Sequence, residues 1–239
     1  FGSVGNVEVI KGPAGSLYGL AIAGAVNLQT KKADRGNTSI SQQAMVGSYG
    51  LQRYTTQLQI GTERSSLMIN YGNQKSDGYM PHEASKKNFV NVIGEFNPNS
   101  KQTINAYFGY SDSYDQRAGE LTIAQYEAGD YSGNPNYIKN NAHSEIVGFR
   151  TGVSHTYNFT DHISNTTTFF GSGSTNNASS AGGWTDKSPV NYGLRSTMDM
   201  EFSLGTDISL RGIAGIETQR QYSQIIGYGM VADSTNLSG

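Results

Sequence analysis

The chain has 239 residues, 36% hydrophobic and 15% charged, with a net charge of -2, no cysteine, 15 Tyr and 9 Phe. The missing thiols exclude disulfides, thiolate metal sites and cysteine catalysis, and the near-neutral charge offers no general nucleic-acid surface. No run of 18 apolar residues exists, so no transmembrane helix is expected. Low charge, many small polar residues and many aromatics suit a sheet with one apolar and one neutral polar face. No signal peptide is visible and the chain begins at Phe1 in sequence of mid-domain character, which reads as a fragment or a processed piece.

In chain order, the first stretch is VEVIKGPAGSLYGLAIAGAVNLQTKK, Val7 to Lys32. Val7 to Ile10 reads as a short strand and Gly12-Pro13-Ala14-Gly15 as a turn. Ser16 to Gly19 reads as a brief element and Gly24 to Thr30 as a second strand. Taken alone it is a glycine-rich loop. It is not a phosphate loop: Gly19 and Gly24 have the spacing, but Ala25-Val26 follow where Lys and Ser/Thr are required.

From Thr38 onward the chain alternates apolar and polar residues in segments of about ten. Nine strands are expected, near 38–47, 51–61, 64–73, 87–96, 101–111, 144–159, 162–172, 190–203 and 207–219. In the second, Tyr54, Thr56, Leu58 and Ile60 oppose Arg53, Thr55, Gln57 and Gln59. The sixth, eighth and ninth repeat the pattern, whereas the seventh is mostly Thr, Asn and Phe. Connections alternate in length. Thr62-Glu63, Asn97 to Ser100, Thr160-Asp161 and Leu204 to Asp207 are tight turns. The intervening loops, about 74–86, 112–143 and 173–189, are long, with Ser48-Tyr49-Gly50 the short exception. Short turns at one end and long loops at the other are the pattern of outer-membrane barrels. A soluble antiparallel sandwich also alternates. It fits less well with the aromatics near strand ends (Tyr54, Phe96, Tyr157, Phe159, Tyr192, Phe202), the mid-strand charges and the strand lengths.

The order of residues in the opening stretch resembles the end of the plug domain of TonB-dependent outer-membrane receptors of the siderophore type. The residues that carry this are Glu8, Lys11, the turn Gly12, Pro13, Ala14 and Gly15, then Leu17, Tyr18 and Gly19, then Gly24, Val26 and Asn27, and the basic pair Lys31-Lys32. The family usually has Arg at the position of Lys11, and often Gly at that of Ala25. Lysine keeps the charge but loses the planar fork. The resemblance implies an all-β chain: residues 1–33 as the C-terminal part of a plug, and 34–239 as the N-terminal part of an antiparallel transmembrane barrel, about nine of 22 strands. An open sheet leaves edges that lipid cannot satisfy, so this piece is not expected to be a stable membrane protein by itself.

The resemblance further implies active transport, not catalysis: uptake of a ferric siderophore or another iron chelate across the outer membrane of a Gram-negative bacterium. Energy would come from TonB, with ExbB and ExbD, engaged through an N-terminal segment outside this chain. No resident cofactor is expected, iron entering only as part of the cargo. Inward-facing Arg53, Glu95, Arg150, Arg195, Glu201, Arg211 and Glu217 would line the lumen. The long loops would touch the ligand through Tyr79, His82, Tyr114, Arg117, Tyr126, Tyr131 and Trp184, since aromatics with scattered cations suit an anionic, partly aromatic chelate. Lys75, Lys86, Tyr137 and Lys187 belong to the same loops in this reading. Haem, cobalamin and oligosaccharides stay open as cargo, and so does a different class, a non-transporting adhesin or carbohydrate-binding sheet. His82-Glu83 is no zinc motif because Lys86 replaces the second His, and no nucleophile elbow is present. Gly171-Ser172-Gly173-Ser174 is expected where a strand enters an external loop.

Overall fold

The computed structural model describes residues 3–12, 23–203, 208–230 and 237–238. The first sheet is a two-stranded antiparallel pair, β1 (Val4–Lys11) and β2 (Gly24–Thr30). The second is a single antiparallel meander in strict chain order: β3 (Thr38–Val46), β4 (Gln52–Gly61), β5 (Ser65–Ser76), β6 (Ser85–Asn99), β7 (Gln102–Gln116), β8 (His143–Asn158), β9 (Ile163–Ser179), β10 (Gly183–Ser203) and β11 (Ser209–Met230), with the two-residue β12 (Leu237–Ser238) beyond. All nine expected strands are present, β3 to β11.

Their lengths differ from expectation at one end of the sheet. β5 and β6 extend the hairpin around residues 77–84, which puts Lys75 and Lys86 on strands. β7 runs to Gln116, so Tyr114 is a strand residue and the following loop is 117–142. The expected loop at 173–189 is a hairpin instead. β9 and β10 pair from Gly173↔Val190 to Ser179↔Trp184 and turn at 180–182, where the Ser180 amide donates to the Gly183 carbonyl at 2.9 Å. Trp184 and Lys187 therefore lie on β10, and Gly171 to Ser174 in mid-β9. β11 likewise continues past 219 to Met230. The reason is physical. Beyond the apolar band the alternation breaks down: β9 ends in Thr175-Asn176-Asn177-Ala178-Ser179, β10 begins with Trp184 and Asp186 on one face and Lys187 on the other, and β11 sets Ile225 next to Ile226. These strands stay extended because the neighbouring strand continues the hydrogen-bond ladder, not because a face is apolar. At the other end, β6 runs through Asn99 and tightens the turn to 100–101, while 204–207 lies outside the described residues.

The 117–142 loop contains two short helices. α1 (Ile123–Ala128) starts at a capping box, in which Thr122 Oγ1 accepts from the Gln125 amide and Gln125 Oε1 accepts from the Thr122 amide. It ends at Gly129, in the left-handed region at φ 66°. α2 (Pro135–Lys139) has Asn134 as N-cap and Pro135 in its first turn.

Register fixes the two faces of the large sheet, because directly opposed residues share a face. One face carries the row Ile60, Leu67, Gly94, Ala106, Val153, Phe169, Leu194, and next to it the row Leu58, Ile69, Val92, Phe108, Thr151, Gly171, Tyr192. Phe169 is 60% exposed there, Val153 47% and Tyr192 46%. An apolar band this exposed is a surface made to meet another apolar surface, lipid or protein. The opposite face carries the row Ser66, Glu95, Asn105, Ser154, Thr168, Arg195, Glu217. On it, Met68, Ile93 and Tyr107 pack against Ala33 to form a small core. Cross-sheet ties are polar: Asn70 Nδ2 donates to Ser3 Oγ at 3.2 Å, and the segment after β2 is fixed to Glu95 by Lys32 and Arg35.

Candidate functional site: a basic recess on the polar face

All seven charged residues expected to share the polar face do so by register. Arg53 lies in the row of Gln74 and Lys87, and Arg150 in that of Asn70, Asn91 and Gly109. Arg195 and Glu217 lie in the row of Glu95, and Glu201 sits opposite Arg211. Their electrostatics separate into two tiers. The lower tier, toward the tight turns, is paired. Glu95 is held by Lys32 and by Arg35 at 2.9 Å, with Asn97 Nδ2 donating to it at 3.2 Å, and Arg195 approaches Glu217 at 3.8 Å. The upper tier bounds a recess of about 810 Å³ lined by Arg53, Lys87 and Arg150, with no carboxylate among its lining residues.

The remaining walls of the recess include amides and hydroxyls (Thr55, Asn70, Gln74, Asn91), rings (Phe89, Tyr107) and aliphatic Ile146. The Phe89 ring occupies the space over Gly72, its cross-strand partner, where a Cβ would collide with it. Tyr107 donates its hydroxyl to Asn91 Oδ1 at 3.0 Å. Asn70 is among the lining residues, and its side-chain oxygen is buried without a hydrogen-bond partner. Three cations with no carboxylate among the described lining residues favour an anion.

The expected loop residues form two other groups, and none of them borders the recess. Tyr79 bridges Tyr49 and Tyr131 by edge-to-face contacts with centroids 5.3 and 5.1 Å apart. This ties three separate loops together. The Tyr131 side chain, hydrogen-bonded to Tyr79, pushes the Tyr79 phenol above its ordinary range. His82 sits at φ 63° with Nε2 2.9 Å from the Ala142 carbonyl, and the Arg117 amide donates to that same carbonyl at 2.9 Å. Tyr126 is exposed on α1. The second group is Tyr114, stacked on His143 at 5.0 Å, with Trp184 edge-on to His143 at 5.5 Å. The Trp184 Nε1 donates to Asp186 at 2.6 Å. Tyr114 and Trp184 fall on rows of the face opposite Arg150.

In the small sheet, two residues of the opening motif pair with each other. Glu8 is opposite Asn27, whose amide donates to Glu8 Oε2 at 3.2 Å. Lys11 pairs with Gly24. Gly12 adopts φ 87° and Gly24 φ 136°, and a Cβ at Gly24 would strike the Ile10 carbonyl. Pro13, Ala14, Gly15, Tyr18 and Gly19 lie outside the described residues. Sequence reasoning missed Lys87. It shares parity with Glu95 on the same strand, so extending that face eight residues back would have found it.

No family model matches the sequence. Among solved structures, the ferric citrate transporter FecA in its unliganded form aligns over 99% of this chain and 37% of its own, with TM-score 0.82 and 15% identity. The ferric-catecholate import receptor Fiu from E. coli K12, in its open form, aligns over 96% and 41%, with TM-score 0.74 and 16% identity. The ferripyoverdine receptor of the outer membrane of Pseudomonas aeruginosa, bound to ferripyoverdine, aligns over 95% and 33%, with TM-score 0.71 and 17% identity. The fold is that of a TonB-dependent outer-membrane receptor. The chain spans between about a third and two fifths of the length of these receptors. Within such a wall, the apolar face is the lipid side and the face bearing the recess is the lumen side.

Proposed function

We propose that this chain is part of an outer-membrane receptor that imports an anionic iron chelate, with energy delivered by TonB, ExbB and ExbD to a plug. In this reading residues 1–33 end the plug and 34–239 begin the barrel. The lumen rows of Arg53, Glu95, Arg150, Arg195, Glu201, Arg211 and Glu217 form the channel wall. The cargo passes unchanged, so no catalytic group is required. The observation that carries the reading is the recess bounded by Arg53, Lys87 and Arg150 without a carboxylate, on the lumen side of a fold it shares with ferric-chelate receptors. The Tyr49–Tyr79–Tyr131 chain, with His82, Arg117 and Tyr126 on the same loops, would form the outer rim above it.

The test is intrinsic fluorescence of the full-length protein in detergent, titrated with ferric citrate, a ferric catecholate chelate, haem, cobalamin and oligosaccharides. Saturable quenching by one ferric chelate below about 1 μM supports the assignment. Each of Arg53→Ala and Arg150→Ala should weaken that binding about tenfold. Saturation by cobalamin or a sugar alone keeps the receptor and removes the iron assignment. A full-length protein soluble without detergent favours the adhesin-like alternative.

A further inference from the structure

On the lipid side, β5 and β6 change character in three steps toward the loop end. Tyr71 and Val90 are opposed in the apolar band. Next, Asn73 and Asn88 are opposed, with Asn73 Nδ2 donating to Asn88 Oδ1 at 2.6 Å. Then Lys75 and Lys86 are opposed. Each step is two residues, about 7 Å of strand. At the tilt of barrel strands the lysines stand about 10 Å beyond the last apolar pair, at headgroup depth.

Two like charges directly opposite each other on adjacent strands repel. Among the described residues neither lysine has a carboxylate within ion-pair reach, although Asp112 on β7 continues the row of Asn73 and Asn88 and Glu145 on β8 continues the row of the lysines. Lys86 instead places its ammonium 5.4 Å from the centroid of the Tyr114 ring, which holds it on the outer surface beside Lys75. The amide pair beneath offers donors of its own. A pair of cations and a polar rung, set above lipid tails and open sideways, matches one phosphate attached to an acyl anchor.

We propose that Lys75 and Lys86 bind a phosphate of an outer-leaflet lipid, which bridges them and removes their repulsion. This rests on the outer-membrane reading given above. The chelate recess is on the opposite face, so lipid and cargo occupy separate sites.

The experiment is native mass spectrometry of the full-length receptor in detergent, titrated with bisphosphorylated lipid A, with dephosphorylated lipid A, and with inorganic phosphate. The expected result is one retained lipid A, weakened about fivefold by Lys75→Ala or Lys86→Ala and about twentyfold by both. The Lys75→Arg/Lys86→Arg double variant, which keeps both charges, should keep it, and the dephosphorylated lipid should fail to compete. A second readout is thermal unfolding. Without lipid the double Ala variant should melt higher than wild type, because the repulsion is gone, and it should lose the stabilisation that lipid A gives wild type. Equal lipid retention by wild type and the double Ala variant overturns the proposal, as does retention of the dephosphorylated lipid. Displacement of the lipid by millimolar phosphate, with phosphate alone giving the same stabilisation, also overturns it in favour of a free-anion site. A receptor that needs detergent but shows none of this loses only this inference. A full-length protein soluble without detergent loses both readings.

Discussion

Arg35 reaches Glu95 at 2.9 Å from the segment that joins the two sheets, while Lys32 takes the other carboxylate oxygen. The Glu95 side chain is 9% exposed, whereas the two cations are more than half exposed. The nearly buried partner is thus on the wall and the exposed partners are on the connecting segment. Glu95→Ala should destabilise that attachment by about 1–2 kcal/mol, discounted for the solvent around the cations. Limited trypsin digestion checks it: cleavage after Lys31, Lys32 or Arg35 should be faster in the variant, and unchanged cleavage would show that the attachment is held elsewhere.

Gly61 closes β4 directly beneath the same segment. Its amide donates to the Asn37 carbonyl at 2.8 Å, and a Cβ there would run into the Asp34 carbonyl. The obstacle is backbone, so it cannot step aside as a flexible side chain would. Gly61→Ala should cost about 1–3 kcal/mol and displace residues 34–37. The measurement is the thermal midpoint of the full-length protein, with Gly227→Ala, which meets nothing within 4 Å, as the control.

Lys86 and Lys87 are adjacent in the chain but occupy opposite faces of β6. Lys87→Ala should weaken binding of an anionic chelate about tenfold, and less at high salt, because it removes one of three cations around the recess. Lys86→Ala should leave chelate affinity unchanged. A chelate titration of the two variants reads this directly, and equal losses would place the ligand outside the recess.

The α1 turn depends on two local devices. Thr122→Ala removes the capping box and should cost about 1 kcal/mol of helix stability, seen as faster amide exchange in 123–128 with the strands unaffected. Just after the helix, Asp130 accepts from the Ser132 amide at 3.1 Å, and the Ser132 hydroxyl and amide hold its carboxyl below the ordinary aspartate range. The sign follows from linkage. A depressed carboxylate pKa contributes stability that is present above the unfolded value and is lost as pH falls through the folded one. Exchange protection at Ser132 should therefore persist at neutral pH and fade only on acidification below the usual aspartate range.

How much of this was legible in the sequence depends on what wrote each signal. The nine strands and the parity of Arg53, Glu95, Arg150, Arg195, Glu201, Arg211 and Glu217 are inscribed as period-two alternation, because one face is apolar and the other polar. Toward the loop end of the sheet the alternation fades. The ends of β9 and β10 then read as a loop, although the ladder continues from Gly173↔Val190 to Ser179↔Trp184. α1 was visible in principle as Thr122-x-x-Gln125 followed by Gly129, but six residues leave little periodicity to notice. The grouping of Tyr49, Tyr79 and Tyr131 came from three different loops and no local pattern announces it. The same holds for Lys32 and Arg35 meeting Glu95 some sixty residues away.

From β3 to β11, every two consecutive strands of the large sheet are bonded to each other, with no crossover. Such a wall can be laid down one hairpin at a time in the order of synthesis. No strand has to search for a distant partner, and the loop closed at each addition is short, apart from the 26 residues of 117–142. That longest closure sits midway through the nine strands. It divides their assembly into a leading block of five strands and a trailing block of four, and β7–β8 is the junction where pausing should concentrate.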